Sequence, residues 1–377
     1  MTFRLPLSVL ALSVSLPLTA SLALLADGAF ADSAPSAAGA DETSPRALWH
    51  RHIATLYDRL ADASERLRDQ ADTLCSADRT SKSFSNRSSD NAPDSAAEEQ
   101  LRARWLDAYR AWQAVRFVDF GPIELDSRAW QLQFWPDDKN LVGTRMAARL
   151  RQNAPVTAET IANAGVAEKG FPALEYLLSD EAMAAGSLEK PVGCSLTQAI
   201  VAHLVNITTQ LSEDWQDFGP HYLSTDSYSD ATVHGAMQLL DTLEDKRLGR
   251  PLGMMGSPAN AYRAEAWRSD ASVSLVEASL AGLEEGFMPG LRALFAAEGK
   301  TDGASAELID AFATQLDHTL DQARAIDGGI ASGLENTASQ QQLGSLYLNV
   351  AQLRELLNRQ IAAELDIVRG FNSSDGD

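Results

Sequence analysis

The sequence is poor in the residues from which much catalytic and scaffold chemistry is built. Its 377 residues include only two cysteines and six histidines. Two cysteines are too few for a disulfide-stapled fold. The histidines stand at 50, 52, 203, 221, 234 and 318, and His50 and His52, two apart, cannot share a helix face. The absence of His-Glu-x-x-His excludes a zincin site. The Gly-x-Ser-x-Gly elbow, the Walker loop and Gly-x-Gly-x-x-Gly are absent too. Positive charge is scarce: 31 Lys+Arg face 52 Asp+Glu, for a formal charge of −21. So acidic a chain repels a phosphate backbone, which argues against nucleic acid as a partner and disfavours anionic lipid. Cationic partners, metal ions or a salty milieu remain open. No stretch alternates apolar and polar residues for long enough to make a strand.

What is present reads as a helical protein behind an export signal. Arg4 is followed by an almost wholly apolar or small run over 5–25, then by Ala29-Phe30-Ala31, an A-x-A cleavage pattern. Residues 1–31 are thus expected to be a secretory signal peptide. A membrane anchor is the alternative, but Pro6 and Pro17 interrupt the run. Cleavage would leave no stable membrane span, and the charge would stay at −21, because Arg4 and Asp27 leave together. Residues 32–45, rich in Ala, Ser and Pro, read as a flexible leader. In an oxidising envelope Cys75 and Cys194 could pair; two buried thiols are the other reading, since sequence cannot supply their separation.

From residue 46 onward apolar positions recur at three- and four-residue steps. Trp49, Ile53, Leu56, Leu60, Ala63, Leu67, Ala71 and Leu74 form one stripe, and Leu101, Trp105, Ala108, Trp112 and Val115 a second. Further stripes run through 200–218, 273–287, 309–323 and 343–368. Each is the buried face of an amphipathic helix. A hydrophobic content of 45% is globular, and the length suggests about two domains. The expectation is an all-α protein of two helical bundles, over 46–220 and 221–377. Residues 76–95, with seven Ser, read as a loop, and 248–262 break the helices again. Asp-Phe-Gly-Pro occurs at 119–122 and at 217–220. The reading preferred for both copies is a helix stop; a pseudo-repeat of one bundle is the alternative.

Four segments could carry chemistry. Residues 117–140 are aromatic and lack a clean period, and they hold Glu124, Asp126, Arg128, Asp137 and Asp138. They are a candidate binding loop, or else a corner packed on Trp130, Phe134 and Trp135. In 168–178, Pro172 suits a first helical turn, and Glu175 is either a first-turn acid or a carboxylate ligand or general base. In 265–270, Ser269 or Asp270 could cap the next helix, and Arg268 could serve a carboxylate. The tail holds Asn372, Asp375 and Asp377, oxygen donors of the kind calcium prefers, or a frayed acidic end.

Taken in order, Phe120-Gly121-Pro122, Phe134-Trp135-Pro136-Asp137, Gly170-Phe171-Pro172-Ala173-Leu174-Glu175-Tyr176-Leu177-Leu178, Trp267-Arg268-Ser269 and the Gly-Phe-Asn-x-x-Asp-Gly-Asp ending resemble the imelysin family. The resemblance implies a bacterial envelope protein of two helical bundles, often linked to iron-regulated uptake, in a family whose founding activity is a peptidase. It also implies a Gly-x-His-x-x-Glu metal or functional motif. Here Gly170 and Glu175 match and Pro172 replaces the His, which removes the imidazole; a lone Glu is a poor soft-metal site. The leading expectation is a periplasmic or cell-envelope protein that binds a ligand or metal in iron acquisition. A divalent metal or iron is its possible cofactor, and iron, haem or an uptake protein its possible partner. Glu175 and the 124–137 loop would line a cleft between the bundles, with Arg268 opposite. A metal-dependent endopeptidase with Glu175 activating a metal-bound water is the second expectation. A non-catalytic docking scaffold is the third.

Overall fold

The computed structural model describes residues 42–76 and 92–367, apart from the side chains of a few residues at 92–95, 181 and 183. The expected signal peptide, most of the leader, most of the Ser-rich loop and the acidic tail lie outside the described residues. Among the described residues there are helices and no strands. The described residues all fall within one compact unit.

Helix α1 spans Pro45–Leu74; the Ser44 hydroxyl caps it by accepting from the Ala47 N–H at 3.3 Å, and Pro45 fills the first turn. Helix α2 spans Ala92–Val115. An irregular corner follows, with a 3₁₀ turn at Gly121–Ser127, a short helix at Arg128–Leu132 and a cis Trp135–Pro136 bond. Then come α3 (Leu141–Gln152), α4 (Gly170–Ser179), α5 (Pro191–Ser224) and α6 (Ser227–Thr242). Helix α7 (Ser272–Gly282) runs on into α8 (Met288–Ala297), and α9 (Gly303–Arg324) and α10 (Thr337–Glu355) close the order. The axes of α6, α7 and α10 continue through π-helical turns at Leu243–Gly249, Leu283–Phe287 and Leu356–Ile361. The first two of these lie just before Pro251 and Pro289, whose rings and missing N–H groups spoil regular α-helical bonding.

The stripes read from the sequence are the buried faces. Trp49, Ile53, Leu60, Leu67 and Ala71 of α1 are fully buried, and the helix packs on α5, α2 and α8. Trp105, Ala108, Trp112 and Val115 of α2 face α1 and α7 in the same core. Cys75 and Cys194 form a disulfide that ties the end of α1 to the start of α5. At the other end of this pair the His50 carbonyl accepts from the Trp215 indole N–H at 3.1 Å. Helix α5 is long and apolar enough to cross a membrane by length and composition, but 72% of its most apolar window is buried inside the protein.

Two expectations of local structure are corrected. The second Asp-Phe-Gly-Pro does not stop a helix: α5 passes through Gly219 and Pro220, so the candidate boundary at 220 lies inside it. Gly219 serves close packing instead, since a Cβ there would meet His50 Nε2 at 2.7 Å. The first copy does begin a turn, at Gly121 with φ +73°. The two copies meet: Gly121 lies against the Phe218 ring, and Phe120 stacks on Tyr222 with centroids 6.0 Å apart. The cap expected for α7 also fails. Its N-cap is Ala271, without a side-chain bond. Asp270 instead accepts from the Gly329 and Ser332 N–H groups at 2.8 and 3.2 Å, at the start of another short helix.

Candidate functional site

A cavity of about 740 Å³ lies beside the first turns of α4, a volume in the usual range for small-molecule sites. Its walls come from the irregular 134–142 segment, from α4 and from the 250–268 stretch. Pro172 and Glu175 of the expected motif both line it. Gly170 opens α4 with φ +73°, and a Cβ there would sit 2.1 Å from the Leu132 carbonyl oxygen. Only glycine lets the helix start this close to the corner behind it.

Glu175 is almost fully buried. Its Oε1 accepts from the Arg268 N–H at 2.8 Å, the Ser269 N–H at 2.9 Å and the Ser269 hydroxyl at 3.1 Å. The carboxylate thus pins the 266–269 loop that forms one wall. Burial pushes its pKa up, and the Ser269 and Arg268 contacts only partly offset this. Arg268 is likewise engaged: Nε donates to Asp180 at 2.9 Å, Nη2 donates to Asn140 at 2.8 Å, and the guanidinium lies 4.3 Å from the Trp267 ring centroid. Asp137 accepts from the Leu141 and Val142 N–H groups at 2.7 and 2.8 Å, so both its oxygens cap α3.

Of the residues proposed from sequence, Asp137, Pro172, Glu175 and Arg268 share this cavity. Glu124, Asp126 and Arg128 are not among its lining residues. Glu124 bonds back to the Gly121 N–H at 2.9 Å, Asp126 is exposed, and Arg128 pairs with Asp214 at 2.6 Å. The aromatic corner is therefore divided, with Phe134, Trp135 and Pro136 on the cavity and Trp130 at the surface.

Sequence reading missed what stands behind the wall. Tyr109 lines the cavity, and its hydroxyl donates to Glu265 Oε1 at 2.8 Å. Glu265 also accepts from Gln113 at 2.9 Å and from Gln133, and its Oε2 pairs with Arg247 at 3.0 Å. Burial and the neighbouring Glu265 charge raise the Tyr109 pKa well above its ordinary value, so the phenol stays a donor. It also missed Arg250, Tyr262 and Arg263 on the cavity wall. Their one sequence signal was their position in and beside the Gly- and Pro-rich break at 248–262.

The donor set does not fit a resident metal. Glu175 Oε1 and both Asp137 oxygens already accept protein hydrogen bonds. Among the described residues no group of three His, Cys, Asp or Glu is placed to hold an ion. The position where the motif would have an imidazole carries Pro172, which offers no ligand atom in its side chain.

Fold and site together define an all-α protein with a partly aromatic cavity built on a Gly-x-x-x-x-Glu helix start. Residues 53–359 match the imelysin family, peptidase M75. The chain belongs to the imelysin family. Its fold is similar to that of an imelysin-like protein from Psychrobacter arcticum 273-4, with a TM-score of 0.71 and 22% identity over 88% of this chain and 98% of that one. It is also similar to a protein from Parabacteroides distasonis ATCC 8503 described as a "putative iron-regulated protein A precursor", with a TM-score of 0.61 and 13% identity over 86% of this chain and 97% of that one. No curated protein matches it.

Proposed function

We propose that this chain is an exported ligand-binding protein of the cell envelope that holds a small molecule in the cavity beside α4, and that its task belongs to iron acquisition. The observation that carries the binding reading is the way the cavity is built. Its motif carboxylate, Glu175, and its cation, Arg268, are both engaged in shaping the wall. A wall held by buried hydrogen bonds is preorganised, which lowers the cost of binding. The endopeptidase reading would need a metal-bound water beside Glu175, and the donors around it do not supply that metal's ligands. The disulfide supports the periplasmic assignment, because such bonds persist in oxidising compartments. The link to iron is carried over from the name of the Parabacteroides protein. On this reading the partners are the ligand and an envelope uptake protein.

The test is to isolate the protein from the envelope of its own cells, extract small molecules under denaturing conditions, and return the extract to stripped protein. The expected result is a rise in melting temperature on return, with insulin chains left intact after prolonged incubation. Cleavage of insulin chains that disappears in Glu175→Gln, which keeps an acceptor for the loop's three donors, would establish the peptidase reading in its place.

A further inference from the structure

The chemistry left over on the cavity wall is cationic and aromatic. Arg250 and Arg263 both line the cavity and are exposed, and among the described residues neither has an ion-pair partner. The segments that carry them, Arg250–Leu252 and Ala261–Arg263, pack together. This is unexpected in a chain of charge −21, where the usual arginine has acidic neighbours. Acidic groups do face them: Glu175, Asp137 and Asp138 line the same cavity. Three of the four oxygens of Glu175 and Asp137 already accept protein hydrogen bonds, which occupies those oxygens without cancelling their charge, and exposed Asp138 adds to it, so a bound anion must seat on the arginines. Beside the arginines, Tyr262 is 71% exposed and meets Trp267 edge to face at 4.7 Å. An exposed ring held in place by a second ring offers a flat apolar surface for stacking.

We propose that the cavity takes an aromatic carboxylate, its ring against Tyr262 and Trp267 and its anionic group on Arg250 and Arg263. This rests on the reading of the cavity as a ligand site and names the class of ligand. The planar guanidinium fork matches a carboxylate in two parallel hydrogen bonds, which a single ammonium cannot do. The ring surface selects against a bare inorganic anion, and the lack of a three-donor metal group selects against a bare cation. Iron would therefore enter, if carried here, as the chelate of such an acid. The free acid and its ferric complex share the recognised chemistry.

The experiment titrates the purified protein with 2,3-dihydroxybenzoate, with its ferric complex, and with the uncharged analogue 2,3-dihydroxybenzamide with and without iron. Tryptophan fluorescence is the readout, since Trp135 and Trp267 line the cavity. The acid is expected to bind at least about tenfold more tightly than the amide, a typical yield for charge-assisted hydrogen bonds. Arg250→Gln with Arg263→Gln should abolish that preference while the melting temperature of the free protein stays unchanged, because both side chains are exposed. Tighter binding of the ferric form identifies the chelate as the source, and equal binding identifies the free acid. Equal affinity for acid and amide, unaltered by the double substitution, would overturn the anionic assignment and leave the ligand cavity standing. No response to any of the four probes would overturn the aromatic-carboxylate assignment, whereas the ligand cavity itself falls only if the cell extract also fails to raise the melting temperature.

Discussion

Replacing Glu175 separates a carboxylate that shapes the site from one that performs chemistry in it. Two backbone N–H groups and one hydroxyl end on its Oε1 inside the protein. Glu175→Ala leaves those donors facing an apolar methyl group. Each orphaned buried donor costs about 1–3 kcal/mol, so the variant should lose about 3–5 kcal/mol once partial relaxation of the loop is allowed. Glu175→Gln keeps an oxygen in the same place, able to accept from the same three donors, and should stay within about 1 kcal/mol of the parent. The pH dependence gives an independent sign. Burial raises the Glu175 pKa in the folded protein above its unfolded value, so the folded state holds the proton more tightly. Stability contributed by this group is present at low pH and declines as pH rises through the window above the unfolded value. The Gln variant has no proton to lose and should gain on the parent as pH rises from acid to neutral. Urea unfolding followed by circular dichroism at several pH values measures all three quantities. If Glu175→Ala costs less than about 1 kcal/mol, or Glu175→Gln costs as much as Glu175→Ala, the anchoring role is wrong.

Two further outcomes follow from other parts of the structure. The His203 Nε2–H donates to Gln131 Oε1 at 2.9 Å, and burial, with the nearby Lys169 charge, lowers its pKa to about 4. The unfolded chain therefore takes up this proton first on acidification, and stability should fall as pH drops from about 6.5 towards about 4; His203→Gln should flatten part of that slope, and superimposable pH profiles would refute the assignment. The disulfide closes a loop with a sequence separation of 119, worth up to about 5 kcal/mol by chain entropy; Cys75→Ser with Cys194→Ser should lower the urea-unfolding free energy by about 2–5 kcal/mol, and reductant should then have no further effect.

Much of the helical framework was legible because burial repeats with the helical period. Every apolar residue named in the α1 and α2 stripes proved buried except Leu74, which is partly so. Other positions were legible only as alternatives. Gly170 and Glu175 stood out in a motif, but the motif could not say whether Glu175 was a base or an anchor. Arg128 and Asp137 sat in one suggestive loop, yet one pairs with Asp214 on α5 and the other caps α3. Ser269 and Asp270 looked like caps for the helix beside them, and each bonds to a distant element instead. The same four letters, Asp-Phe-Gly-Pro, begin a turn at 119–122 and continue a helix at 217–220, because at the second site Gly219 lies against His50.

The sequence by itself determined the all-α content and the buried faces, because both follow from periodicity and local propensity along one segment. It also determined that the motif position of the imidazole carries Pro172. The tertiary structure alone decided that Cys75 meets Cys194, that Glu175 serves the 266–269 loop, and that Arg250 and Arg263 stand on one cavity with the aromatic rings. The physical reason is range. A helix is specified by neighbours three and four residues away, whereas a carboxylate, thiol or guanidinium acquires its role from whichever partner the packed chain brings within about 3 Å, and here those partners are separated by 93 residues for Glu175 and Arg268 and by 119 for the cysteines.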